Sequence, residues 1–532
     1  MTCADRLYVA AVIVAALALS TAPYAMGYAA QTPERIFDGA VFDLPDYHTH
    51  LGEMQLGLRG EWLHRVLSTP EDHGGALMRT FYIALGHVAR CTGLSLPLVY
   101  QLARIVFGAL FLASAHRFIA AFQPTRTVHR LALALVAFSS GLGWLVQIVA
   151  PAGPNGISPI DFWLIDANSF FSIMIFPHFT AAMTLLLEIS IRLIEQLEPP
   201  ALGVSTRGLV ACAITALFAF LLTTIHPYAI AIIIGPAMAL GVMQLIRRRG
   251  VPARWWWLVS AAMAGAAPVL LYSAIVFIGD PVFQQWAAQN ITLSPPPIYY
   301  VLGFGLVLVF ALLGARRFVR ECGDRAVFVL IWIGVACVML YLPVGIQRRF
   351  AEGLHVPLCL VAAYGLARLS ERMSARVGFV VINFILALAS MSNVYMVIGY
   401  TTLASMRSEK FFHPADRIAA INWLGARSSP DETVLASESV GSLIPARIGH
   451  RVVLGHWAET VDYRGKQAKV TAFFNAVTSD AERLAMLKRL GVRYVYHGPD
   501  ERALGAFDPS RAPYLAQAFR AGDVTLYRVE LP

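Results

Sequence analysis

The sequence predicts a polytopic α-helical membrane protein with about eleven transmembrane helices and a C-terminal α/β domain outside the membrane. Of its 532 residues, 57% are hydrophobic and only 14% are charged, whereas globular domains carry about 25% charged residues. The apolar residues also occur in long blocks, each near the roughly 20 residues that cross about 30 Å of hydrocarbon as a helix. Because lipid offers no partner to an unpaired backbone group, these blocks must be helical.

The spans fall into two groups. Clear spans cover residues 7–29, 131–150, 209–224, 229–246, 255–278, 299–313, 327–342 and 379–397. Further spans, which are short or contain polar residues, cover residues 96–122, 170–194 and 355–369. The first span also resembles a signal peptide with a small-residue end, but its apolar run is long for one, so we expect an uncleaved helix.

The net charge of +9 comes almost entirely from arginine. In a soluble protein it would suggest a nucleic-acid partner, but here the positive-inside rule explains it, and we expect no nucleic acid. Arginine clusters in alternate loops place the N-terminus in the cytoplasm and the segment after Tyr400 outside the inner (plasma) membrane. These clusters are Arg126 with Arg130, Arg192 with Arg207, Arg247–Arg249 with Arg254, Arg316 with Arg317, Arg320 and Arg325, and Arg368 with Arg372 and Arg376.

Composition divides the chain into four predicted parts. They are the first transmembrane helix (1–30), an extracytoplasmic loop with amphipathic helices (31–95), the transmembrane bundle (96–399) and an extracytoplasmic α/β domain (400–532). In the last part, helix patterns such as "PADRIAAINWLGAR" alternate with strand patterns such as "VTLYRVE". This alternation is typical of an α/β fold.

The outer loop contains the string "PDYHTH" at residues 45–50. As a bare D-x-H-x-H string it is typical of a metal site at a strand end, where side chains repeat every second residue. Many acidic residues surround it, and a solvated loop explains most of them. Asp46 and the triplet Glu71-Asp72-His73 stand out, because they lie among apolar and glycine residues close to the membrane.

Arginines interrupt the bundle at two places. Arg348 and Arg349, in "PVGIQRRFAEGLHVPL", abut a span on its predicted outer side, and Arg104 lies within a span. A charged side chain inside a membrane needs a partner, and arginine suits bidentate binding of phosphate. We interpret Arg348 and Arg349 as a clamp for a lipid phosphate. The alternatives are snorkelling to the interface and pairing with Glu352.

Two Pro-His neighbours mark the outer ends of further helices. His178 follows Pro177, and His226 precedes Pro227. Such breaks are tolerated where the freed backbone groups line a cavity, although a kink satisfied within the bundle is an alternative. Together with the loop acids and the arginines, they predict an outward-facing cavity that suits a lipid-phosphate donor and an acceptor arriving from outside.

These features resemble the GT-C superfamily of polyprenyl-phosphate-sugar-dependent glycosyltransferases, in particular bacterial members related to the dolichyl-phosphate-mannose mannosyltransferases. The resemblance covers most of the chain as architecture, through loose motifs. The first-loop Asp lacks the second acidic residue of a D-x-D or D-D/E pair, and the loop before residue 95 contains no Lys. The matching parts are the first span, "LPDYHTHLGEMQLGLRGEW", "STPEDHGG", "FYIALGHVAR", an Arg-bearing second span, "PHF", "LPVGIQRRFAEGLHVPL" and "LGHWAETVDYRGK".

The resemblance implies inverting transfer of a sugar from a polyprenyl-phosphate donor to a glycan, lipid or protein acceptor. Asp46 is the best match to the family's general base on the acceptor hydroxyl, with Asp43 in reserve. The leaving phosphate needs cations, and the matching residues are Arg348, Arg349 and Arg104. The expected acceptor contacts or supporting residues are Glu71, Asp72, His73 and His178.

Oligosaccharyltransferase relatives use a divalent metal, so a metal remains open here. The candidate ligands are Asp46, His48, His50 and His73. Hard ions such as Mg²⁺ and Mn²⁺ prefer carboxylates to imidazoles. We therefore expect no cofactor and assign no residue to a metal, while leaving a divalent ion possible.

Two other functions are consistent with parts of the sequence. A transporter or lipid-linked glycan flippase would use polar breaks to line a path, but transporters place their sites near the midplane between corresponding halves of a repeat. Here the polar residues gather on one predicted side. A tethered metal hydrolase would need a soluble barrel of strand–helix units downstream, where this chain has membrane spans.

Overall fold

The computed structural model describes residues 2–149, 158–197, 206–247, 250 and 252–530. Within these residues the protein is a largely helical, multi-pass membrane protein, as the sequence predicts. It forms two compact units, which we call the bundle unit and the loop unit. The bundle unit contains Met1–Pro23, Leu102–Tyr272 and Thr292–Thr401, and the loop unit contains Tyr24–Gln101, Ser273–Ile291 and Thr402–Pro532.

Within the described residues, eight helices are long and apolar enough to cross a membrane. Their boundaries follow the apolar blocks of the sequence, because burial of apolar surface in lipid needs a continuous apolar helix. The eight are Cys3–Ala30, Leu96–Ala120, Pro177–Glu195, Thr206–Ile225, Ala229–Ile246, Ala253–Gly279, Pro297–Met339 and Ala375–Ser405.

Three further features bear on the predicted count of about eleven. Arg126–Phe138 and Gly143–Val149 form a pair bent by 52° that can act as one span. Pro297–Met339 has 43 residues, leaves helical geometry at Gly305 and at Gly323, and contains both predicted spans 299–313 and 327–342. The short apolar helix His355–Ser370 is the third feature. By length and composition the described residues thus hold eight spans, or nine with the bent pair, and the count of eleven stays a prediction.

Glycines allow close packing of two bundle helices. A Cβ at Gly314 would collide with the carbonyl of Val361, and a Cβ at Gly365 would collide with that of Phe310. Small residues at helix contacts are typical of membrane proteins, since apolar side chains gain little by leaving lipid. The shorter helical elements of the bundle unit are Ile160–Phe162, Ile165–Ala167, Ser169–Ile175 and Gln347–Ala351.

The loop unit contains the predicted α/β fold, arranged around two sheets. Strands β1 (Arg35–Phe37) and β2 (Phe412–Pro414) form an antiparallel pair. The second sheet contains β3 (Thr433–Leu435), β4 (Val492–His497), β5 (Leu515–Ala521) and β6 (Val524–Val529) in the order β3-β4-β6-β5. Its β3–β4 pair is parallel and its other pairs are antiparallel.

Strand β4 shows why this sheet is stable. Val495 packs into one apolar core with Phe473 and Leu487, whereas Tyr494 and Tyr496 pack into a second core. Alternate side chains of a strand point to opposite faces, so both faces of the sheet are covered. The helices of the loop unit are Leu44–Arg59, Thr80–Thr92, Pro281–Gln289, Ala415–Arg427, Glu438–Ile448, Tyr463–Phe474, Asp480–Arg489, Pro499–Leu504 and Pro509–Arg511.

Candidate active site

The "PDYHTH" string lies at the start of the helix Leu44–Arg59 and is not extended. Residues two positions apart on a helix point in different directions, so His48 cannot converge with Asp46 and His50 as it would on a strand. Each has a different partner. Asp43, the N-cap residue, has a φ of 45°, and such backbone conformations are uncommon for non-glycine residues and concentrate at functional sites.

Asp46 is an accessible carboxylate beside an imidazole. Its Oδ1 lies 3.6 Å from Nδ1 of His456, and the Asp46 side chain is 39% exposed. The His456 side chain is buried, and the Thr49 hydroxyl lies 3.5 Å from the same ring nitrogen. Asp46 can therefore meet an incoming hydroxyl group, as a general base must. Asp43, the reserve candidate, is half-buried.

His48 contacts a different carboxylate. Its Nε2 lies 2.6 Å from Oδ2 of Asp38, and Nε2 of His413 lies 3.3 Å from Oδ1 of the same residue. All three side chains are buried. Burial alone raises the pKa of Asp38, but the charges of His48 and His413 outweigh that effect and hold the pKa well below its usual range.

A network of buried charges around Arg79 was not identified from the sequence. Nη1 of Arg79 donates to Oε1 of Glu53 at 2.6 Å, and Nη2 lies 3.1 Å from Oε1 of Glu459. Trp286 donates from Nε1 to the other oxygen of Glu459, and His50 lies 3.3 Å from Glu53. Burial alone raises the pKa of Glu53, but the charge of Arg79 and the hydrogen bond with His50 lower it to about 2.

This network borders a cavity. The cavity is small and partly open to solvent, and it is lined by Glu53, Glu459, His64, Thr49 and six other residues. Burial lowers the pKa of His64 to about 4, because the charged imidazolium would lose its hydration. Both ring nitrogens of His64 are without a hydrogen-bond partner in the part of the chain that the structure describes.

The triplet at residues 71–73 contacts other parts of the loop unit. The Lys466 ammonium, on a side chain that is 1% exposed, lies 2.5 Å from Glu71. Asp72 accepts a hydrogen bond from Arg451 at 2.9 Å, and His73 accepts one from the backbone of Val66. These contacts hold residues 71–73 in place. Their expected role in binding an acceptor stays a prediction.

In the bundle unit, Arg348 and Arg349 lie on aromatic rings. The guanidinium of Arg348 is 5.4 Å from the ring centre of Trp163, and that of Arg349 is 5.9 Å from the ring centre of Phe179. Arg349 also pairs with the buried Asp166 at 3.4 Å. Both arginines are half-buried. Aromatic rings hold these charged guanidinium groups in place, so little side-chain entropy is lost when they bind an anion.

The predicted pairing partner of these arginines, Glu352, contacts His226. Nδ1 of His226 lies 2.9 Å from Oε1 of Glu352, whose side chain is fully buried. The ring of His178 lies edge-on to that of His226 at 5.1 Å. The two Pro-His breaks therefore meet at one place in the bundle unit.

Arg104 is fully buried and donates hydrogen bonds to neutral oxygens. Its partners include the hydroxyl groups of Ser20 and Thr21, at 3.2 Å and 2.8 Å, and the carbonyl of Ile173 at 3.2 Å. The sequence predicts a carboxylate or phosphate partner instead. These bonds join three segments of the bundle unit, and a phosphate-binding role for Arg104 stays a prediction.

The arrangement can be compared with known proteins. By sequence, the chain matches no family model and no curated relative. By structure, it is similar over 99% of its length to ArnT from Cupriavidus metallidurans in the apo state, with a TM-score of 0.55, 14% identity and 98% of that chain covered. A second structure of that ArnT, bound to undecaprenyl phosphate, is matched with a TM-score of 0.53.

Two other groups of solved structures show the same architecture. The archaeal oligosaccharyltransferase AglB from Archaeoglobus fulgidus, in complex with an inhibitory peptide and a dolichol-phosphate, has a TM-score of 0.54 and 13% identity, over 93% of this chain and 70% of AglB. The mycobacterial arabinofuranosyltransferase AftD has a TM-score of 0.55 and 13% identity, over 99% of this chain and 40% of AftD. A complex of the A. fulgidus enzyme with Zn and sulfate is also matched.

These neighbours are GT-C membrane glycosyltransferases, and the chain therefore has the GT-C fold. At 13–14% identity the likeness establishes the fold, and it confirms at that level the resemblance drawn from the sequence. The carboxylates and arginines described above lie within this fold.

Proposed function

We propose that the chain is an integral-membrane glycosyltransferase that moves a sugar from a polyprenyl-phosphate donor to an acceptor hydroxyl or amide outside the cytoplasm. The observation that carries this proposal is the full-length structural match to ArnT, a protein solved with undecaprenyl phosphate. The charged clusters of the two units supply the two chemical requirements of such a transfer, a base and cations for a phosphate.

The accessible carboxylate is the proposed base. Asp46 accepts the proton of the acceptor while the acceptor attacks the anomeric carbon, and this attack from the face opposite the phosphate inverts the configuration. His456, 3.6 Å away, positions the carboxylate. Asp43 remains the reserve base, because its left-handed backbone conformation at the start of the same helix also indicates a functional position.

The two arginines are the proposed phosphate ligands. As the bond between sugar and phosphate breaks, negative charge grows on the leaving oxygen, and fixed cations stabilise it. Arg348 and Arg349 suit this role, because aromatic rings hold both guanidinium groups while leaving them half-exposed. Donor recognition is thus assigned to the headgroup phosphate, with membrane lipid around the polyprenyl chain.

A direct test uses the purified full-length protein in nanodiscs with a panel of radiolabelled polyprenyl-phosphate sugars. The expected result is time-dependent release of polyprenyl phosphate from one donor, together with a glycosylated product whose anomeric configuration is opposite to that of the donor. Loss of release in Asp46→Asn, with release retained in the exposed control Asp523→Asn, ties the turnover to the proposed base.

Two results would contradict the proposal. If the protein moves a labelled lipid-linked sugar across a vesicle membrane without cleaving the sugar from its phosphate, the chain is a flippase. If sugar is released with retained configuration, Asp46 does not act as a base in a single displacement.

A further inference from the structure

Asp38, His48 and His413 form the cluster that we call the metal triad. One potential ligand atom from each residue lies within 4.8 Å of the other two. The residues are 3%, 5% and 8% exposed. Within the described part of the chain, a group of three converging His, Cys, Asp or Glu side chains is found here.

The backbone fixes each member of the metal triad in place. Strands β1 and β2 pair with Ile36 opposite His413, and the N–H of Asp38 donates to the carbonyl of Phe411 at 2.9 Å. His48 comes from the second turn of the helix Leu44–Arg59. Because strand pairing and a helix hold the three side chains, the cluster is a built arrangement.

One ring nitrogen in the cluster lacks a conventional partner. Nε2 of His413 is buried and makes no hydrogen bond within the described part of the chain, although it lies 3.3 Å from Oδ1 of Asp38. A buried polar atom left in this way costs free energy unless something else binds it. Nε2 of His48 also faces the Asp38 carboxylate, so a cation held by all three residues would satisfy both rings.

The donor set indicates the kind of cation. Two imidazole nitrogens and one carboxylate oxygen are borderline ligands that bind Zn²⁺ and similar transition metals, whereas Mg²⁺ and Ca²⁺ prefer oxygen ligands alone. In a tetrahedral site with bonds of about 2.0–2.1 Å, neighbouring ligand atoms lie about 3.3 Å apart. The 3.3 Å between His413 and Asp38 already matches that spacing.

We propose that Asp38, His48 and His413 bind a transition-metal ion of the Zn²⁺ class and that this ion positions the first turns of the helix that carries Asp46. The ligand set differs from the one considered from the sequence, because only His48 is shared. Asp46, His50 and His73 each contact other residues. The proposal does not depend on the proposed transferase activity.

The test measures metal content in the full-length protein. The protein is purified through an affinity tag without histidine, loaded with equimolar Zn²⁺, Mn²⁺ and Mg²⁺, passed over a desalting column and analysed by mass spectrometry for metals. We expect about one Zn²⁺ per chain and little Mn²⁺ or Mg²⁺. His413→Gln should lower the Zn²⁺ content at least about tenfold, whereas His497→Gln, a half-buried histidine on β4, should not change it.

Two results would overturn the proposal: wild-type protein that retains no Zn²⁺, or a folded His413→Gln variant with the wild-type content. If His413→Gln does not fold, wild-type protein titrated with Co²⁺ decides the question. Coordination by two imidazoles and a carboxylate gives an intense visible absorption band that Zn²⁺ displaces. The absence of that band would exclude the site.

Discussion

The candidate site residues of the two units differ in which charge is accessible. In the bundle unit the acids Asp166 and Glu352 are 1% and 0% exposed, while the Arg349 side chain is 30% exposed. In the loop unit Glu53 and Glu459 are buried, and the Asp46 carboxylate is 39% exposed. Among these residues the accessible charge is thus the cation Arg349 in the bundle unit and the anion Asp46 in the loop unit.

This difference matches the division of roles in the proposed function, in which Asp46 is the base and Arg348 and Arg349 bind phosphate. A leaving phosphate needs accessible cations, and an acceptor hydroxyl needs an accessible base. The buried partners set the orientation of the charged groups around them. Substitutions at Asp46 should therefore change the turnover number, whereas substitutions at Arg348 should change the Michaelis constant for the donor.

The largest effect is expected for Asp46→Asn. The amide cannot accept the acceptor proton, so the turnover number should fall by about 10²–10⁴-fold, with donor binding unchanged. Steady-state kinetics with the labelled donor measures both quantities. Asp43→Asn is the matched comparison. If it abolishes turnover while Asp46→Asn retains it, the base is Asp43.

Arg79→Met should destabilise the loop unit. It keeps an unbranched chain against Trp286 but leaves the buried carboxylates of Glu53 and Glu459 without their shared cation, at a cost of about 3–5 kcal/mol. The thermal unfolding temperature of the purified protein measures this loss, and the exposed Arg489→Met is the control. An unchanged unfolding temperature would show that the pairing of Arg79 with Glu53 and Glu459 does not stabilise the protein.

Acidification should destabilise the loop unit through His64. Its pKa is about 4 in the folded protein against 6.5 for the free side chain, so the unfolded chain takes up a proton first as the pH falls. The contribution of the neutral His64 ring to the free energy of unfolding is fully present above pH 6.5 and is lost between pH 6.5 and pH 4. Between pH 7 and pH 4.5 the loss is about 2–3 kcal/mol.

His64→Phe should flatten this pH dependence, because the replacement ring does not titrate. Unfolding temperatures of the wild type and the variant at pH 7 and pH 4.5 provide the comparison. Equal decreases in both proteins would assign the acid sensitivity to other groups.

The smallest effect is expected for Arg348→Ala. A hydrogen bond to a charged group contributes about 1.5–3 kcal/mol, so the Michaelis constant for the lipid donor should rise about 10–100-fold. The turnover number should change less. Arg372→Ala, an exposed arginine, is the control. An unaltered Michaelis constant in Arg348→Ala would show that Arg348 does not bind the donor.

The sequence predicts the membrane spans well because hydropathy is a local property. Each crossing needs its own apolar block, and the kink at Gly323 explains how two predicted spans form one long helix. Arg348 and Arg349 could also be identified as unusual, because charge beside an apolar block is visible without a structure. Their aromatic supports could not be identified, since Trp163 and Phe179 are distant in sequence.

The loop clusters were harder to predict for a physical reason. The D-x-H-x-H string indicates a single site only if the backbone is extended, and here it is helical, so His48 and His50 have separate partners. The partners Asp38, His413 and Glu459 come from distant segments that no periodicity connects. Glu53 and Arg79 resemble ordinary loop charges until the fold buries them.

The pairing of β1 with β2 has a consequence for biosynthesis. Translation proceeds at about 5–20 residues per second, and His413 follows His48 by roughly 365 residues, so the ribosome needs about 20–70 s to supply the second strand after the helix has emerged. During that interval the segment around Asp46 lacks its β-sheet partner and its contact with His456. The proposed function therefore implies that activity appears only after residues 412–456 have been made and that shorter chains remain inactive.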